Sequence, residues 1–443
     1  MRKKISLLFI GFIVLISILF FHKTILKGYI PFPGDLLISS YSPWRFEPFL
    51  GYNPGSYPTK FQYSDVVRQI YPWKNFAIEE IRKLSVPLWN PYNFSGMPFA
   101  ANFQSQVFSP FNLLFIFLPI PFAWSMSLYL QILLSFIFVF LYSRKIGISK
   151  EGSILASVAF SCSLYISVFF EYAVVGQTIL WLPLALFSIE KLRERNIWGF
   201  ALLVFALVAA GFGGHLQIFS YLFVFIFFYG VTRIKKLSFK NFIFLLIPFL
   251  ISLGVLAIQL LPSLELINLS ARVSHTREFF QNNLISFKEL VVFISPDFFG
   301  NPASNNFLLM NKSYPENALY FGIIPLIFAL YTFINKKNTL IKFFYGAAFI
   351  TLLTITLNPI STLLFSYSIP FLSSSSPTNG IFLITFSLSL LSGFGFDAWL
   401  KKKDMKPIIL GISLIVLLGL MFGLYMIFEA PFNKNGLILS LGA

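Results

Sequence analysis

The sequence predicts an all-α, polytopic integral membrane protein with about eleven transmembrane helices in a single domain over residues 1–443. Three observations carry that expectation. Hydrophobic residues make up 57% of the chain and charged residues only 11%, whereas a soluble domain carries about 25% charged residues. The apolar residues fall into repeated runs near the roughly 20-residue length that crosses a bilayer. Basic residues gather in the short connections between alternate runs, and the long connections fall on the other side. Phe alone supplies 58 residues, which suits lipid-facing and helix-packing surfaces. A lone cysteine, Cys162, provides neither a disulfide framework nor a cysteine metal site.

The first run, about Ile5–Phe21, follows Arg2, Lys3 and Lys4. A basic start also opens a signal peptide. Phe21, His22, Lys23 and Thr24 offer no small-residue cleavage site, so a retained anchor is expected. Further runs lie at about 122–143, 152–170, 177–190, 197–211, 216–232, 241–262, 318–335, 342–357, 381–398 and 407–428. With the N-terminus in the cytoplasm, 20 of the 33 Lys and Arg residues fall in short cytoplasmic segments beside five acids. The outer side receives 13 basic and 12 acidic residues, mostly in two long loops. This is the positive-inside pattern of a plasma-membrane protein. The net charge of +16 is therefore topogenic, and no nucleic-acid partner is expected. Residues 359–376 are apolar enough for a twelfth span, but counting them would move the Lys401–Lys406 cluster outside. An outer re-entrant or interfacial segment over 359–379, broken by Pro359 and Pro370, fits better and is expected to line a cavity.

The long outer loops cover about 23–121 and 263–317. The first is rich in aromatics, which argues against disorder. Within it, Trp73, Ala77, Ile81 and Leu84 share one helical face, while Lys74, Glu79, Arg82 and Lys83 fall largely elsewhere. That pattern predicts a short amphipathic helix, either in the membrane interface or packed on the bundle. Next, Pro87–Pro98 mixes turn-formers with aromatics and amides, and Asn102, Gln104 and Gln106 follow without repelling charge. Trp89, Asn90, Asn102 and Gln104 offer paired donors and acceptors beside an apolar plate, as sugar binding requires. Self-packing of the loop is the alternative.

The stretch Ser64-Asp65-Val66-Val67-Arg68-Gln69-Ile70-Tyr71-Pro72-Trp73, with PLWNPYNFSGMPFAANFQS at 87–105, resembles the first outer loop of the bacterial YfhO family. Gly214-His215-Leu216-Gln217, Ser295–Gly300, Glu316–Gly322 and Gly393–Asp397 resemble later family segments in the same order. That family is similar to the GT-C glycosyltransferases, multispanning enzymes that take sugars from polyprenyl-phosphate donors on the outer membrane face. The resemblance implies a hexosyl- or N-acetylhexosaminyl-transferase with a cell-envelope acceptor: a teichoic-acid-like polymer, a glycan or a lipid. It further implies a catalytic aspartate at Asp65, within D-x-x-x-Q-x-x-P, and a second acid at Asp35 in Pro33-Gly34-Asp35. The chain departs from the family where a late arginine is usual, since Ser376-Pro377-Thr378-Asn379-Gly380 has none.

Glycosyl transfer to a hydroxyl needs a base, which a carboxylate supplies, and a cationic or N–H-rich pocket for the leaving phosphate. Asp65 is the first candidate base and Asp35 the second. The pair can act as base and orienter, or hold a divalent cation such as Mg or Mn through oxygen ligands. A helix-cap role is the alternative for each. His215, Arg272, His275 and Arg277 are the phosphate candidates, because Arg binds phosphate bidentately. Glu171, Gln217 and Glu316 stand at outer span ends as substrate-binding candidates. The histidines show no metal-ligand spacing. A transporter or flippase of lipid-linked glycans, and a non-catalytic assembly scaffold, are the competing functions.

Overall fold

A computed structural model describes residues 21–48, 51–56, 63–234, 238–269, 276–304, 306–309, 312–335, 338–369, 373 and 375–428, with positions 11, 14 and 18 of the first helix. The expected first span therefore lies mostly outside the described residues, apart from its helical end over 21–27.

The fold is helical throughout. Its only strands among the described residues are the two-residue pair β1 (Trp89–Asn90) and β2 (Met97–Pro98). The region before the bundle holds α1 (Leu36–Ser40), a π-helical turn at Val66–Ile70, α2 (Tyr71–Arg82) and α3 (Asn112–Phe117). The bundle begins with α4 (Ile120–Lys145), α5 (Lys150–Ser161), α6 (Leu164–Val168), α7 (Val174–Ile179) and α8 (Leu182–Arg193). It continues with α9 (Ile197–Gly211), α10 (Leu216–Arg233) and α11 (Phe239–Leu269). After α12 (Arg277–Asn282) come α13 (Ile323–Asn335), α14 (Thr339–Ile355), α15 (Pro359–Ser366), α16 (Ile381–Lys402) and α17 (Lys406–Phe428).

Among the described residues, six helical stretches are long and apolar enough to cross a membrane: Ile120–Lys145, Val174–Arg193, Leu216–Arg233, Phe239–Leu269, Pro377–Lys402 and Lys406–Leu424. Three shorter apolar helices, Ile197–Gly211, Ile323–Asn335 and Thr339–Ile355, pack among them. The apolar run expected from 318 becomes helical only at Ile323. Before it, Ala318, Leu319 and Phe321 are buried, and the Tyr320 carbonyl accepts from the Leu164 N–H at 2.8 Å.

The central helix is α16, which packs on α5, α13 and α14. Its glycines set the spacing. A Cβ on Gly395 would lie 1.9 Å from the Phe328 carbonyl oxygen, and one on Gly393 would lie 2.7 Å from the Gly152 oxygen. Small residues are what allow helix backbones to approach this closely. At the rim, α17 presents Ile408, Ile412, Ile415 and Leu420 outward, as a lipid-facing helix does.

The two ends of the bundle differ chemically. One end collects the basic turns: Lys145 pairs with Glu194 at 2.5 Å, Lys402 reaches Asn335 at 2.8 Å, and Asp397 caps α5 through the Ser149 N–H at 2.7 Å and the Ser149 hydroxyl. The opposite end carries the long loops. There Gln106 Nε2 donates to Gln177 Oε1 at 3.0 Å and to the Gly213 carbonyl at 2.5 Å.

The predicted amphipathic helix forms as α2, with a different buried face. Trp73, Lys74, Ala77 and Ile78 are buried, whereas Leu84 stands 97% exposed past the helix end. Lys74, expected on the polar side, points into protein because α2 packs on α3 and the loop after it. The segment after α14 forms α15, started by an Asn358 capping box with Pro359 in the first turn.

Candidate functional site

Asp65 stands where the chain enters the π-helical turn at Val66–Ile70, which runs directly into α2. Such turns occur mostly as local irregularities and often at functional sites. Burial of Val66 and Ile70 fixes the inner side of the turn, leaving Asp65 and Arg68 on the exposed side. The Asp65 side chain makes no capping hydrogen bond, so helix capping does not account for it. Surrounding protein raises its carboxyl pKa by desolvation, and Arg68, one turn on, pulls it back down. The residue as a whole is exposed, so this desolvation is partial.

Beside Asp65 lies the short helical turn Phe170–Tyr172. Burial, with the Asp65 carboxylate, Tyr63 and the Glu316 carboxylate nearby, holds the Tyr172 phenol well above its usual pKa. The Tyr63 ring sits 5.4 Å from that of Tyr172, and its hydroxyl donates to the Val168 carbonyl at 2.5 Å. Tyr314 lies close to Tyr63 and donates to Asp297 Oδ1 at 2.6 Å. Burial and that hydrogen bond both raise the Tyr314 phenol.

Glu316 is half-buried. Desolvation raises its pKa, and a hydrogen bond from Ser376 opposes the rise. Ser376 ties Glu316 to Gln217, whose Nε2 donates to the Ser376 carbonyl at 2.7 Å and to the Tyr221 hydroxyl at 2.8 Å. Gln217 Oε1 accepts from Ser375 at 2.7 Å and from Asn379 Nδ2 at 2.8 Å. A polar network thus runs from Glu316 into the bundle between α10 and the start of α16.

Of the residues singled out in the sequence, this arrangement brings Asp65, Glu316 and Gln217 into one region, with Glu171 adjoining Tyr172. Asp35 precedes α1 with no capping hydrogen bond. Its loop is held to α4 through Trp124, which donates to the Pro31 carbonyl at 3.0 Å and packs on Phe32. No hydrogen bond or ion pair joins Asp35 to Asp65 among the described residues. Among those residues, no group of three or more His, Cys, Asp or Glu side chains is placed to hold a metal ion. A divalent cation at Asp65 would therefore draw further oxygen ligands from the substrate.

The loop amides are engaged locally. Asn90 is buried, donates to Asn93 Oδ1 at 2.7 Å and accepts from the Tyr92 N–H at 2.9 Å. Asn102 accepts from the Gln104 N–H at 3.1 Å. Trp89 is 55% exposed and covers Gly96, where a Cβ would fall 2.6 Å from the indole. His215 caps α10, its Nδ1 accepting from the Ile218 N–H at 3.4 Å. Arg277 starts α12 and is exposed, while Arg272 and His275 lie outside the described residues.

No protein-family model, curated protein or solved structure matches the chain. Sequence reasoning passed over Arg68, Tyr63, Tyr172, Tyr314 and Ser376 as site residues. Arg68 had a signal, since it follows Asp65 by one helical turn. Asp297 lay inside a noted segment, but its link to Tyr314 is tertiary and has no signature in local spacing.

Proposed function

We propose that this protein is a membrane glycosyltransferase that moves a sugar from a polyprenyl-phosphate donor to a hydroxyl of a cell-envelope acceptor. The observation that carries the reading is the gathering of Asp65, Glu316 and the Asp297–Tyr314 pair around Tyr172 and Tyr63 at the loop end of a helix bundle. Chemistry at that end meets a lipid-borne donor without drawing charge through the bilayer. Resemblance of the 64–105 stretch to GT-C-like enzymes supports the same assignment, with the loop end extracytoplasmic.

In this mechanism Asp65 accepts the acceptor hydroxyl proton as the oxygen attacks the anomeric carbon. The new C–O bond forms as the bond from that carbon to the phosphate oxygen breaks, and the lipid phosphate leaves with the electron pair. Partial desolvation makes Asp65 a stronger base than a solvated carboxylate, and Arg68 favours its ionised form. Glu316 orients the sugar, and Gln217 acts through Ser376 to hold Glu316 in place. From the sequence, the departing phosphate is assigned to Arg277 and His215, with Asp35 as the second acid.

A transporter of lipid-linked glycans draws on one specific observation. One apolar stretch is broken, at Cys162–Ser163, and transporters bind substrate at discontinuous helices. Membranes containing the full chain, supplied with a radiolabelled undecaprenyl-phosphate hexose, separate the two readings. Transfer in the wild type that is lost in Asp65→Asn supports the enzyme. Transfer untouched in both Asp65→Asn and Asp35→Asn removes the assigned bases, and protein-dependent scrambling of the lipid without transfer selects the transporter.

A further inference from the structure

At the basic end, far along the chain from Asp65, α8, α10 and the start of α11 enclose an open groove of about 700 Å³. Its walls are apolar: Ile189 and Leu192 from α8, and Ile243, Phe244 and Ile247 from α11. Ile243, Phe244 and Ile247 are each more than a third exposed, so the wall opens sideways, toward where lipid chains lie around an apolar bundle. The rim is cationic, formed by Arg193, Arg195, Arg233 and Lys240.

Two of these cations, Arg193 and Arg233, are held by one buried carboxylate. Glu190 is buried and takes Arg233 in a two-point contact, Nε to Oε1 at 2.5 Å and Nη2 to Oε2 at 2.9 Å. It also pairs with Arg193 and accepts from the Tyr229 hydroxyl at 2.5 Å. The Arg195 and Lys240 side chains have no hydrogen-bond or ion-pair partner among the described residues. Positive-inside topology accounts for cations at this end. It does not account for a rim of them around a lipid-accessible apolar groove, with Glu190 holding two guanidinium groups in place.

We infer that this groove binds an anionic phospholipid, its phosphate at the Arg195–Lys240 rim and an acyl chain along the Ile243–Ile247 wall. Charge selects the lipid class: a zwitterionic headgroup would bring its own cation against four others, whereas an anionic one meets only complementary charge. The apolar wall selects a lipid over a soluble anion, because a free phosphate has nothing to bury there. The site lies apart from the loop-end chemistry and stands independently of it.

Native mass spectrometry of the purified full chain in a zwitterionic detergent tests the inference. Phosphatidylglycerol is expected to bind saturably as one tight copy, with phosphatidylcholine retained weakly or not at all and glycerol phosphate unable to displace it. A basic side chain near an anionic surface is worth about a factor of five in affinity, so Arg195→Gln with Lys240→Gln is expected to weaken binding about 25-fold. Ile243→Asn with Ile247→Asn keeps every cation and is expected to weaken it severalfold, a second reading should the charge variant fail to fold. Equal retention of both lipids, or phosphatidylglycerol binding unchanged in either double variant, overturns the site. Displacement by glycerol phosphate would reveal a plain anion site and overturn the lipid assignment.

Discussion

Lys74 offers the sharpest test of the packing of the long loop before the bundle. It is 3% exposed, and its Nζ donates to Asn112 Oδ1 at 2.8 Å and lies 5.5 Å from the centre of the Phe115 ring. No carboxylate pairs with it among the described residues, and burial pulls its pKa from 10.5 down to about 7. At 1.36 kcal/mol per pH unit, that gap corresponds to about 5 kcal/mol. The sign follows from proton linkage. The folded chain holds this proton less tightly than the unfolded chain, so unfolding takes up a proton between pH 7 and 10.5 and stability climbs with pH there. The penalty is fully present below pH 7 and vanishes above 10.5. Lys74→Met keeps the buried volume and removes the titration. Between pH 7 and 9 the wild type is expected to gain about 2.3 kcal/mol of stability relative to the variant. Chemical unfolding of both purified proteins in mild detergent, across a pH series, reads the difference with all other titrations cancelled. A constant gap between the two curves would refute the reasoning and mean that water or a counter-charge reaches the amine.

Asp65→Asn is expected to lower sugar transfer by roughly a hundred- to ten-thousandfold, the range for loss of a general base, with the protein still eluting as a folded species in detergent. The base works deprotonated, so transfer falls as pH drops through the Asp65 pKa, at a higher pH than for a solvated aspartate. Since Arg68 opposes that rise, Arg68→Gln should move the acid limb of the rate profile further up; a stationary limb argues against Asp65 as the base. Gly395→Ala drives a methyl against the Phe328 carbonyl, 1.9 Å from the new carbon, and is expected to destabilise the α13–α16 contact by about 3 kcal/mol, read by thermal unfolding. Glu190→Gln leaves Arg193 and Arg233 without their carboxylate, and a loss of about 3 kcal/mol is expected at neutral pH; an unaltered unfolding midpoint contradicts the buried triad.

Apolar runs separated by basic turns were enough to place most bundle helices near their observed positions, because hydrophobic length reports directly on helices packed in a bundle. Boundaries failed where tertiary pairing overrode hydropathy. Residues 318–321 read as the start of a span, yet the Tyr320 carbonyl is used by Leu164 and the helix waits until Ile323. Lys74 read as a polar-face residue because a helical wheel knows nothing of Asn112, thirty-eight positions away. The candidate site shows the same division. Asp65, Glu316 and Gln217 were visible as polar residues at span ends and in outer loops. Tyr172 and Ser376, which draw them into one region, carry no local pattern that sets them apart from other tyrosines and serines.

The long loop before the bundle is fastened in a particular way. Gln259 donates to the Ala100 carbonyl at 3.1 Å, Ser263 to the Ala101 carbonyl at 2.5 Å, and Gln106 reaches back to the Gly213 carbonyl at 2.5 Å. Ala100 and Ala101 take part only through their main-chain carbonyls. Such fastenings constrain where the loop backbone runs while leaving most of its side chains unconstrained. Substitutions at Tyr92 or Phe94, 81% and 92% exposed, can then reshape what the loop presents without dislodging it. Placement and surface chemistry become separable traits, so the loop surface can change while the bundle beneath it stays as it is.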